Sequence, residues 1–152
     1  MPKIIFIELA VENKLKYVCD ITEKLYNSGR QIRIYTERPA DAKLIDDFLW
    51  TWKQDTFIPH TLYSSPTETK FDPVIITTSE DLPSQADVLI EFDPHKAETF
   101  AEYKLIIDFA ETYNPQKLQE SRNRYKTARD SKQFDLEFTR LGTFLGTEIG
   151  KN

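Results

Sequence analysis

Apolar residues run almost without a break over Lys3–Leu9 (Lys-Ile-Ile-Phe-Ile-Glu-Leu), the pattern of a strand covered on both faces. Over Glu12–Ser28 the period changes: Leu15, Val18, Cys19, Thr22, Leu25 and Tyr26 keep to one side of a helix. Gly29 then stands where a left-handed residue ends a helix. Gln31–Tyr35 predicts a second strand, and strand–helix–strand with so short a return predicts a right-handed parallel crossover. Asp41 is the expected cap of a helix reaching about Trp52. In that helix Ile45, Phe48, Leu49 and Trp52 recur at i, i+3, i+4 and i+7, so they face the core, while Trp50 falls off the stripe.

Phe57–Tyr63 predicts a strand that Pro59 bars from the middle of a sheet, because proline has no N–H for the ladder. Val74–Thr77 and Val88–Phe92 predict further strands, separated by the polar, proline-bearing loops Ser64–Asp72 and Ser79–Gln85. A short helix near His95–Glu102 leads to a strand at Leu105–Phe109. Asn114-Pro115 opens the last helix, asparagine as cap and proline in the first turn, and it extends to about Lys132. The expectation is a single α/β domain over residues 1–134, with a mainly parallel, Rossmann-like sheet flanked by helices. Residues 135–152 hold three of the four glycines and read as a tail, ordered only in part.

Length and composition narrow the class. A chain of 152 residues buries one continuous core, and a formal net charge of −5 does not attract a phosphate backbone. The single cysteine, Cys19, has no partner for a disulfide, which fits a reducing, cytoplasmic setting. No apolar run approaches the ~20 residues that cross a bilayer, so no membrane role is expected.

The sparse glycines exclude the obvious ligand class. None lies between the first strand and first helix, where the turn reads Ala10-Val11-Glu12-Asn13. A phosphate needs backbone without a Cβ at that turn, and here it would meet a carboxylate. Cys19 sits on the apolar side of its helix and reads as a core thiol. His60 and His95 share no metal-ligand spacing, so no metal and no cofactor is expected. Asp93-Pro94-His95 reads as a turn that could also carry a general base. Asp46-Asp47 reads as a solvated helix face, and Asp108, in an apolar strand, as half of an ion pair with an arginine of the last helix.

That helix changes the electrostatic picture. Lys117–Arg129 carries five cations against Glu120, a net +4 that leaves −9 on the rest of the chain. Arg122, Lys126 and Arg129 lie within about 60° of one another on the helix, with Leu118 and Tyr125 on the shoulder of the stripe. A row of cations beside an apolar edge suits an acidic peptide with a hydrophobic residue or free carboxylate. A solvated helix face explains it too, and direct contact with single-stranded DNA is a third reading, weakened by the surrounding negative charge. A small-molecule or enzymatic site near the strand ends at Glu8, Thr36 and Asp93 is the main rival.

Several stretches together resemble the chi subunit of bacterial DNA polymerase III holoenzyme. They are Ile45-Asp46-Asp47-Phe48-Leu49-Trp50, Phe57-Ile58-Pro59-His60, Ala86-Asp87-Val88-Leu89-Ile90, Ile106-Ile107-Asp108-Phe109 and Arg124-Tyr125-Lys126. The resemblance implies a non-catalytic, Rossmann-like subunit of the replisome at the periphery of the clamp loader. It implies one surface at Phe57, Trp50 and Pro59 for the psi subunit or an equivalent clamp-loader or helicase partner. It implies a second, at Arg122, Tyr125, Lys126, Arg129 and Ala110, for the acidic C-terminal tail of single-stranded-DNA-binding protein. DNA would then be reached only indirectly.

Overall fold

The structure, a computed structural model, describes residues 1–52, 57–63, 72–79, 86–94 and 103–146. Its strands are β1 (Lys3–Leu9), β2 (Ile32–Tyr35), β3 (His60–Tyr63), β4 (Val74–Thr77), β5 (Val88–Glu91), β6 (Leu105–Glu111) and β7 (Asp135–Arg140). They form one sheet in the order β3-β4-β2-β5-β6-β1-β7, every pairing parallel. The helices are α1 (Lys14–Asn27), α2 (Pro39–Trp50), α3 (Pro115–Ser131) and α4 (Leu141–Gly146). The chain is thus an α/β protein of Rossmann-like layering.

Because β1, β2, β4, β5 and β6 are covered on both sides, their sequences are contiguous apolar runs. The larger core joins Ile5, Ile7, Ile34, Ile76, Ile90 and Ile107 to α1, α2 and α4. The opposite face of the sheet packs Ile4, Phe6, Leu89 and Ile106 against Ala128 and Tyr125 of α3. Helix α1 ends in a Schellman turn, with Arg30 N–H donating to Leu25 O and Gly29 N–H to Tyr26 O. Gly29 takes φ +82°, a conformation its missing Cβ makes inexpensive.

Pro59 directly precedes β3, and β3 is an edge strand, as a proline at that point requires. The start of α2 departs from expectation. Pro39 occupies the first turn after Arg38, with no side-chain cap, and Asp41 lies inside that turn, where its charge favours the helix dipole. The helix expected near His95–Glu102 lies outside the described residues. The stretch from residue 135 supplies β7 and α4, so the sheet continues past residue 134.

Candidate functional site

Helix α3 is fixed at its start by Asn114, whose side chain accepts from Gln116 N–H and Lys117 N–H. Its middle is fixed by Arg124, which makes a two-pronged bond to Asp108 of β6, both distances 2.8 Å. Burial disfavours the Arg124 charge, but the bond and field of Asp108 outweigh it and hold the guanidinium above its usual range. The ion pair foreseen for Asp108 is therefore present, and it removes Arg124 from the exposed cations.

A cavity of about 260 Å³ opens beside this helix. Phe6, Ala110, Leu118 and Tyr125 give it apolar walls, and Arg122 stands among them. Phe6 and Tyr125 meet edge to face, ring centroids 5.2 Å apart at 61°. A cavity of ~150 Å³ takes one benzene ring, so this one has room for a phenyl group and more. Lys126 and Arg129 are exposed on the same flank of the helix, beyond the cavity wall. Arg129 lies 3.3 Å from Asp130, an exposed pair of little strength, and among the described residues Arg122 and Lys126 form no ion pair. Five of the lining residues, Phe6, Glu8, Thr112, Ser121 and Phe138, escape the sequence reading in this role. Phe138 reaches the cavity from β7, and Glu8, 3.7 Å from Arg140, brings a carboxylate.

A second surface lies at the other end of the sheet. Trp50 is 57 % exposed and Phe57 67 %, with their rings 6.1 Å apart. Beneath them Ile58 is buried and Pro59 half-buried, which anchors the segment and leaves Phe57 outside. His60 packs 4.5 Å from the Trp50 ring, with Nδ1 2.7 Å from Ile58 O and Nε2 3.2 Å from Asp46 O. The Asp46 carboxylate is 3.3 Å from the same Nε2. His60 is thus a strut between α2 and the entry to β3. The reading of Asp46-Asp47 as a solvated pair is corrected in part: Asp47 is exposed, but Asp46 is turned in to His60 because i, i+1 residues point 100° apart. Four to six strand spacings, about 19–29 Å, separate β3 from the strands β6, β1 and β7 that line the cavity.

The rival centre comes together only in part. Thr36 donates to Asp93 at 2.9 Å and Glu37 N–H donates to the same carboxylate, a tie between the segments that follow β2 and β5, while His95 lies outside the described residues. Glu8 lies across three strand spacings, about 14 Å, on β1. Over the strand ends, Lys14 pairs with Glu111 at 3.0 Å and donates to Phe92 O, so side chains fill the crevice by the first turn. Burial pushes the Cys19 thiol up to about 12, which leaves it inert at neutral pH. Among the described residues there is no cluster of three or more possible metal ligands, and no helix long and apolar enough to cross a membrane.

Residues 1–134 match the family model described as DNA polymerase III chi subunit, HolC. The chain is 27 % identical to DNA polymerase III subunit chi of Escherichia coli (strain K12) over 112 residues, 74 % of this chain and 76 % of that one. It is 28 % identical to the subunit of the same name from Haemophilus influenzae over 111 residues, 73 % of this chain and 76 % of that one. Among solved structures, the C-terminal domain of S. cerevisiae Dbp5, bound to Gle1 and IP6, superposes with a TM-score of 0.57. That likeness spans 93 % of this chain and 91 % of the other at 11 % identity, and it concerns the fold alone.

Proposed function

The chain belongs to the DNA polymerase III chi subunit family, an accessory subunit with a role in DNA replication, and from that premise we propose that it is a non-catalytic adaptor. One surface, Arg122, Tyr125, Lys126, Arg129 and Ala110, takes the acidic C-terminal tail of single-stranded-DNA-binding protein. The other, Phe57, Trp50 and Pro59, takes the psi subunit or an equivalent clamp-loader or helicase partner. The observation that carries the reading is the ring-sized apolar cavity set directly under the α3 cations.

The chemistry fits an acidic chain ending in an aromatic residue. The ring enters between Tyr125 and Ala110, its carboxylate meets Arg122, and the preceding aspartates meet Lys126 and Arg129. Three charge-assisted contacts of ~1.5–3 kcal/mol each and one buried ring of ~2 kcal/mol, less ~2–5 kcal/mol for ordering a flexible tail, put the affinity at about micromolar at its tightest. Exposed cations make that affinity fall with salt. The separation of the two surfaces lets both partners bind at once, which an adaptor requires. Trp50 and Phe57 are large, rigid and exposed together, the type of residue that dominates protein interfaces.

A pair of crossed substitutions tests the division of labour. Arg122→Ala or Lys126→Ala is expected to weaken the acidic peptide about tenfold each and leave the clamp-loader partner bound. Phe57→Ala is expected to abolish capture of that partner in a pull-down and leave peptide affinity within twofold. Loss of both activities from either single variant, with the fold intact by circular dichroism, contradicts the assignment of separate surfaces.

A further inference from the structure

Strand β7 begins one residue beyond the family match, and its register decides which side chains reach the cavity. Leu136 pairs with Ile4, Phe138 with Phe6 and Arg140 with Glu8. Paired positions of a parallel ladder share a face, and Phe6 faces Tyr125 of α3. Leu136, Phe138 and Arg140 therefore project to the α3 side, and Asp135, Glu137 and Thr139 to the other. Glu137 is engaged there by Lys3 at 2.8 Å. The strand turns its acids away from α3 and its aromatic ring and cation towards it.

The helix makes the matching choice. Leu118, Arg122 and Tyr125 line the cavity together with Phe138, so the flank that carries the cations is the flank facing β7. Phe138 is nevertheless 56 % exposed, a bare ring on an edge strand, where exposed apolar surface is ordinarily avoided. Glu8 would repel an entering carboxylate, and Arg140, 3.7 Å away, offsets it.

We propose that β7 is the second wall of the peptide groove, with Phe138 the residue that selects an aromatic terminus by closing over its ring opposite Tyr125. The inference rests on the acidic-peptide reading above and names a specificity contact within it. Charge complementarity fixes the occupant: cations on the helix, one offset acid in the cavity, and no other carboxylate on this side of β7.

The test titrates the full chain with two fluorescent acidic peptides, identical except for a terminal Phe or Leu. Wild type is expected to prefer the Phe peptide about fivefold. Phe138→Leu, which keeps apolar volume on the strand, is expected to bring that preference below twofold without changing the salt dependence, since no charge is lost. Phe138→Tyr is expected to restore it. Equal discrimination by wild type and Phe138→Leu overturns the role of Phe138 and leaves the acidic-peptide reading standing. Failure of wild type to bind either peptide overturns both.

Discussion

Arg124→Ala is expected to lower the stability of the fold by about 3–5 kcal/mol. The Asp108 carboxylate is 4 % exposed and sits in an apolar strand between Ile107 and Phe109. Arg124 meets both of its oxygens at 2.8 Å and also approaches Phe109 O. Truncation leaves that charge in low dielectric with its strongest partner gone, so the folded state bears a desolvation penalty that the pair had offset. The double variant Asp108→Leu/Arg124→Met removes both charges at similar volume and is expected to recover most of the loss. Urea denaturation of wild type and the two variants measures it. A loss under about 1 kcal/mol for Arg124→Ala would mean that the α3–β6 clamp is not what seats the helix.

Phe144→Ala is expected to cost about 3–5 kcal/mol as well, the usual range for an aromatic truncated in a packed core. Phe144 is 3 % exposed and belongs to the larger core, with Leu141 and Leu145 of the same short helix packed against it. Lys24 of α1 donates to Leu145 O at 2.9 Å, a second tie between α4 and the body. A six-residue helix is far too short to persist without such packing, so α4 exists because Phe144 is inserted. Thermal and urea melts measure the effect, and a midpoint equal to wild type would show that the packing of α4 contributes nothing to the stability of the fold.

The contrast between those two positions explains what a reader of the sequence sees. Asp108 stands out because it interrupts Leu-Ile-Ile-Asp-Phe, and a buried carboxylate demands a cation, which the basic helix beside it supplies. Strands β1 and β4 declare themselves with the bounds the structure shows, since burial on both faces writes an unbroken apolar run. Trp50 is legible as an outward residue by helical phase, whereas Pro59 marks only an edge segment and the surface role of Phe57 comes through the family resemblance. β7 is harder to see. Asp-Leu-Glu-Phe-Thr-Arg does alternate with period two, but six residues followed by Gly142 and Gly146 resemble a frayed end. The cavity is harder still. Phe6, Glu8 and Phe138 meet only through the β1–β7 register, a contact across about 130 residues that no local pattern announces. The cationic stripe and Tyr125 could be found from helical spacing, and Ala110 only through the family resemblance.

The central claim, that α3 and its cavity grip a negatively charged chain end bearing an aromatic ring, is tested most directly by one titration. A labelled acidic peptide ending in Phe is measured against the same peptide amidated at its terminus and against a bare single-stranded oligonucleotide. The expected result is a Kd on the order of micromolar for the free acid, about tenfold weakening on amidation, and the weakest binding for the oligonucleotide. Tighter binding of the oligonucleotide, or indifference to amidation, would contradict it.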